Sequence, residues 1–182
     1  RRAMAVNPAE AKAYMIYQLG ALQAFCDSYG VTLQHMKLHG AFYNTACVTP
    51  ALADAVLDGL QAVNPNIAAM VLSGSYIAKE AQRRGIPVIQ EVFADRGYTD
   101  EGTLVPRTEP GAFIKDPQEA LERVLMMVTE GKVVTNTGNT IDIVADSVCV
   151  HGDNPEAIAF TNYIREGLTK AGVTVANFQN RK

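Results

Sequence analysis

Cysteine is scarce and unpatterned. The 182-residue chain has three cysteines, Cys26, Cys47 and Cys149, an odd number with no CxxC spacing. That argues against a disulfide framework or a zinc site and points to a reducing compartment. Basic clusters are missing too. No basic run is longer than a pair such as Arg83-Arg84, no aromatic residues interleave with it, and the formal net charge is −3. Such a chain has no general attraction for nucleic acid or an anionic membrane, so neither is expected as a partner. No apolar stretch approaches the roughly 20 residues that span a bilayer. The opening "RRAMAVNPAEAKAY" lacks the apolar core of a signal peptide, so a cytoplasmic location is the expectation. A nucleotide loop of the form GxxxxGKS or GxxxxGKT is absent.

What is present is an ordinary globular composition, 48% hydrophobic and 19% charged. The length allows a sizeable core. Nothing in it reads as a Gly/Ser linker or a low-complexity tract, so residues 1–182 are expected to form one domain. Asn7-Pro8-Ala9-Glu10 predicts a capped helix start, followed by an amphipathic run to Gly30. Residues 31–40 alternate and favour a strand. Thr49-Pro50 opens a helix to about residue 63. Residues 66–74 and 86–95 read as buried strands on either side of a helix over 75–84. Residues 96–115 are rich in turn formers and predict a long functional loop with a short strand at 103–106. Asp116-Pro117 starts a helix ending at Gly131. Residues 142–153 hold a strand, Asn154-Pro155-Glu156 caps a last helix, and "VTVANF" (173–178) predicts a closing strand. This alternation implies parallel β/α units.

Polar residues recur at one place in these units. "LQHMKLHG", "VIQEVFADR" and "VCVHGD" are apolar and then break into charge. In parallel α/β folds the carboxyl ends of strands carry the functional groups. Lys37, His39, Glu91, Asp95, Arg96, His151 and Asp153 are therefore expected along one rim, with Asn44, Tyr98 and Arg107 just beyond it. Each residue also has a plainer reading. Lys37 fits a solvated cation, and His39 a cap for the following helix. Glu91 and Asp95 can divide acid and base roles or be neutralised by Arg96 and Arg107. Tyr98 fits packing as well as hydrogen bonding. Asp153 either orients His151 or caps the next helix. "SGS" at 73–75 can hold an anion at a helix start or simply cap the helix.

"KLHGAFYN" (37–44), "EVFADRGYTDEGTLVPR" (91–107) and "VCVHGD" (148–153) resemble, in order and spacing, motifs of the LamB/YcsF family, and "YQLGALQAFCDSYGVTLQH" (17–35) resembles the segment before the first of them. Leu38 stands where that family usually has proline, and Phe42 where it has leucine. The resemblance implies a β/α barrel of polysaccharide-deacetylase type. It implies opening of the 5-oxoproline lactam to glutamate, with ATP as cosubstrate and two further subunit types, B and C; no metal is assigned, and a homo-oligomer is left open. Glu91, Asp95, His151 and Asp153 become the catalytic candidates, and Lys37, His39, Asn44, Arg96, Tyr98 and Arg107 the substrate-binding ones. "RRAM" resembles the end of a longer family segment. The pattern holds about five or six strands against the roughly eight of a closed barrel, so the barrel is expected to be incomplete in this chain, its N-terminal strands missing. Other readings are hydrolysis of another lactam or N-acyl amide, and a non-catalytic binding or scaffold subunit.

Overall fold

Asn7 begins the fold. Its side chain accepts the Glu10 N–H at 3.0 Å, and the Glu10 carboxylate accepts the Asn7 N–H at 3.0 Å. This reciprocal cap, with Pro8 in the first turn, launches helix α1 (Pro8–Tyr29), which stops at Gly30 in a left-handed conformation, φ 64°. A computed structural model describes residues 4–151 and 157–178. The chain divides into two compact units, Arg1–Glu91 and Val92–Lys182.

In the first unit, β1 (His35–Lys37), α2 (Gly40–Val48), α3 (Pro50–Val63), β2 (Ala68–Leu72), α4 (Tyr76–Arg83) and the start of β3 (Val88–Phe93) follow α1. β1, β2 and β3 are parallel neighbours, with Lys37 opposite Met70 and Leu72 opposite Glu91. α3 buries Leu52, Val56, Leu57 and Leu60; full burial of a leucine stabilises by about 1.5–3 kcal/mol. α1 crosses α3 closely at Gly59, where a Cβ would stand 2.6 Å from the Met15 Cβ. Arg84 ties α4 to α3, donating to Glu80, Asp54 and Asp58 at 2.7–2.8 Å. Ser75 caps α4, accepting the Ala78 N–H at 3.4 Å and donating to the Leu72 carbonyl at 2.6 Å. Of the two readings of "SGS", the structure displays the cap.

The second unit starts with the end of β3 and holds α5 (Pro117–Thr129), β4 (Lys132–Val134), β5 (Thr140–Asp142), β6 (Ser147–Cys149) and α6 (Ala157–Lys170). The Ala94 N–H donates to the Cys149 carbonyl at 3.0 Å, joining the continuation of β3 to β6. Ala94, Ala120, Val124, Ile164 and Leu168 form the core between α5 and α6. β4 and β5 make an antiparallel hairpin that the sequence pattern did not predict. Its turn is clamped by Asp100, which accepts hydroxyls from Thr135 and Thr137 and the Asn139 amide.

The result is a mixed α/β fold on parallel strands, as the alternation implied. Residues 40–48, left unassigned by the sequence pattern, are helical. Two expectations need correction. The expected strand at 103–106 is reduced to an isolated Tyr98–Leu104 bridge. Residues 173–178 form no strand: the Val173 N–H closes α6 by donating to Leu168, and among the described residues no strand lies alongside to pair with it. The expected Asn154-Pro155-Glu156 cap lies outside the described residues. Among those described, no single helix is long and apolar enough to cross a membrane.

Candidate active site

In the first unit the polar cluster is built at the strand ends. Lys37 is the last residue of β1, Glu91 lies in β3, and Tyr43 sits one turn into α2. Glu91 is only 2% exposed, so its charge requires close partners. It has them on both oxygens: the Lys37 ammonium ion-pairs with Oε1, and the Tyr43 hydroxyl donates to Oε2 at 2.9 Å. The Lys37 Nζ also lies 5.7 Å from the centre of the Tyr43 ring, within cation–π range. Cys47 is close by on α2, and burial, with Glu91 adding to it, pushes its thiol up to about 11. His39 heads α2 but is exposed, and its side chain makes no capping hydrogen bond. Asn44 is exposed as well, with its amide 3.5 Å from the Gly40 carbonyl.

In the second unit Asp95 follows the end of β3 and His151 follows β6. Asp95 Oδ2 and His151 Nδ1 are 2.7 Å apart, and the imidazole stacks on Phe93 with ring centres 5.8 Å apart. This leaves Nε2 as the imidazole atom that can exchange a proton with a ligand. Asp95 Oδ1 is buried and has no hydrogen-bond partner among the described residues. A buried acceptor in that state is open to a donor that the described residues do not supply.

Both residues line a cleft of about 810 Å3, together with Arg107, Lys115 and the first turn of α5, and with Phe113, Phe160 and Tyr163 as aromatic walls. The Arg107 guanidinium lies 5.2 Å from the centre of the Phe113 ring. Neither Arg107 nor Lys115 has a carboxylate partner among the described residues. The cleft thus offers two cations, an acceptor lacking a donor and an imidazole held by a carboxylate. That combination suits a small ligand with an anionic group and an N–H. Among the described residues, no group of three or more His, Cys, Asp or Glu side chains is placed to hold a metal ion.

Three sequence-based assignments change in this geometry. Arg96 is 3% exposed and donates to the Ala112 and Val105 carbonyls at 2.9 and 2.6 Å. It braces its own loop, and burial, with Arg107 nearby, lowers its pKa. Tyr98 is fully buried, its hydroxyl accepting the Phe93 N–H at 2.9 Å. Both support the loop rather than a substrate. Glu91, expected to move protons, has both oxygens engaged by donors. Asp153 lies outside the described residues. Sequence reasoning passed over Tyr43 and Lys115. Tyr43 stands inside the "KLHGAFYN" motif, three residues after the glycine that starts α2, and that position was the available signal.

The sequence matches the LamB/YcsF family over residues 1–182. It is 58% identical over 175 residues to the A subunit of 5-oxoprolinase from Fusobacterium nucleatum, covering 96% of this chain and 68% of that protein. The A subunit of 5-oxoprolinase from Coprothermobacter proteolyticus is 49% identical over 175 residues, covering 96% and 67%. Among solved structures, a lactam utilization protein from Thermus thermophilus superimposes with a TM-score of 0.86 at 41% identity, covering 96% of this chain and 70% of that one. The chain belongs to the LamB/YcsF family.

Proposed function

We propose that this chain acts as the A component of an ATP-dependent 5-oxoprolinase, opening the 5-oxoproline lactam to glutamate together with subunits B and C. The observation that carries this reading is the cleft of the second unit. 5-Oxoproline has a carboxylate that matches Arg107 and Lys115, and a lactam N–H that matches the unpartnered Asp95 Oδ1. The names of the relatives point the same way, and the parallel strands fit part of a deacetylase-like β/α barrel. Three free cysteines accord with a cytoplasmic setting.

Ring opening needs a better electrophile than a resonance-stabilised amide. Phosphorylation of the amide oxygen by ATP, assigned here to the partner subunits, turns that oxygen into a leaving group. Water then adds to the activated carbon, the ring C–N bond breaks to leave a glutamyl phosphate, and a second water hydrolyses that acyl phosphate to glutamate and free phosphate. His151, oriented through Nδ1 by Asp95, takes the proton from water and returns it to the departing ring nitrogen. Arg107 and Lys115 hold the substrate carboxylate throughout.

The cleft volume of about 810 Å3 exceeds what so small a ligand fills. That favours, as a second reading, a larger lactam or N-acyl amide as substrate. The test is glutamate release from 5-oxoproline by the chain combined with subunits B and C, with and without ATP. Release that needs ATP, both partners and His151 supports the proposal. Absence of release from the complete mixture, with turnover of larger lactams, overturns it in favour of the second reading.

A further inference from the structure

Phe113 is 40% exposed, yet two arginines converge on it. The guanidinium carbons of Arg96 and Arg107 each lie 5.2 Å from the centre of its ring, within cation–π range. The two cations differ in what else holds them. Arg96 is buried and pinned by the Ala112 and Val105 carbonyls. Arg107 is exposed and lines the cleft beside Phe113. It has no carboxylate partner among the described residues, so the ring is what restrains it. The ring is itself fixed by the backbone. Residues 96 and 113 form a bridge, flanked by the Gly97 N–H on the Ala112 carbonyl at 3.1 Å and the Ile114 N–H on the Asp95 carbonyl at 3.0 Å. One short stretch of pairing thus places Asp95 and the Phe113 ring in register on the same cleft.

A ring restrains a guanidinium in a way that a carboxylate cannot. A carboxylate would occupy N–H donors and cancel the charge, whereas an aromatic face attracts the cation and leaves both for a ligand. An unrestrained arginine also carries large rotamer freedom, part of which is lost when it grips an anion. Restraint in advance removes that cost. We infer that Phe113 is a positioning residue, which holds the Arg107 guanidinium at the cleft wall for the carboxylate of the ligand. Arg96 serves the same end by bracing the loop that carries the ring. The assignment deepens the 5-oxoprolinase reading and rests on it for the identity of the ligand.

The test compares Phe113→Leu, which removes the ring but keeps an apolar side chain, with Phe113→Tyr, which keeps the ring. In the complex with subunits B and C, Phe113→Leu is expected to raise KM for 5-oxoproline about two- to fivefold, the fold-change of a partly exposed cation–π contact. Its kcat should stay within about twofold and its Tm unchanged, and Phe113→Tyr should match the unchanged protein. In an Arg107→Ala background, where Lys115 still meets the carboxylate, Phe113→Leu should leave KM as it is, because the residue through which the ring acts is gone. An equal rise in both backgrounds overturns the inference, since the ring would then be a plain wall of the cleft. The second arm needs no turnover. The Arg107 Nε–H resonance of the folded chain, assigned by its loss in Arg107→Ala, is expected to lie upfield under the ring current of Phe113. It should keep that shift in Phe113→Tyr and lose it in Phe113→Leu. A resonance at the position of a free arginine in the unchanged protein overturns the inference whatever the variants do. A shift that follows the ring, with no turnover of 5-oxoproline by any complex, would retain the positioning role and reject 5-oxoproline as the ligand.

Discussion

Asp95→Asn separates the two tasks assigned to Asp95. The side chain keeps its shape and an oxygen, so a lactam N–H can still be accepted. It loses the charge that holds His151 Nδ1 at 2.7 Å. A hydrogen bond to a charged group is worth about 1.5–3 kcal/mol, and each 1.4 kcal/mol or so is tenfold in rate. If His151 moves the proton in the slow step, kcat should fall between about tenfold and about 150-fold. The pair is partly open to solvent, with side chains 19% and 28% exposed, so the lower half of that range is the better expectation. KM should change by less than about threefold, because ground-state binding keeps its acceptor. The assay is steady-state glutamate release at saturating ATP with both partner subunits present. The Phe93–His151 stack predicts that the variant melts near the unchanged protein. A kcat within about threefold of the original, with KM raised instead, would make Asp95 a binding group only and refute the proton-transfer role.

Arg107→Ala should raise KM for 5-oxoproline about tenfold, the equivalent of one charge-assisted hydrogen bond, with kcat nearly unchanged; Arg107→Lys should recover part of the loss, and equal KM values for all three would remove Arg107 from the site. Glu80 is held at a pKa of about 2 by its hydrogen bonds to Arg83 and Arg84, below the usual carboxylate value of about 4.3. Its contribution to stability is complete above that usual value and disappears as pH falls through about 2. Urea midpoints from pH 6 to pH 2 should therefore decline less steeply in Glu80→Gln than in the unchanged protein, and parallel curves would contradict the assignment. Gly97→Ala would place a Cβ 2.0 Å from the Gly111 carbonyl oxygen, a backbone clash that no rotamer relieves. It should destabilise by about 3 kcal/mol in urea unfolding and disturb the loop that carries Arg107. A variant as stable as the original would show that this loop yields easily.

The elements that were legible in the sequence owe their form to local chemistry. The Asn7–Glu10 cap, the Asp116-Pro117 start and the apolar runs of β2 and β3 each act within a few residues, so they read correctly without a fold. Carboxyl-end placement likewise picked out Lys37, Glu91, Asp95 and His151, because it follows from strand direction alone. What escaped depends on distant partners. Tyr43 gains its role from a carboxylate 48 residues away, and Lys115 enters the cleft as the loop folds back with the Ile114 N–H on the Asp95 carbonyl. The β4–β5 strands have three residues each, too few for alternation to register, and the Asp100 clamp that closes their turn spans up to 39 residues. Arg96 and Arg107 show the limit most sharply. They have the same side chain in the same loop, and both guanidiniums lie 5.2 Å from the centre of the Phe113 ring, but Arg96 is buried and meets the Ala112 and Val105 carbonyls, whereas Arg107 is exposed. An arginine enclosed by carbonyls has donors satisfied by the fold, and an exposed one without such partners among the described residues keeps them for a ligand. The bridge between residues 96 and 113 decides which is which, and that pairing forms only when the loop closes on itself.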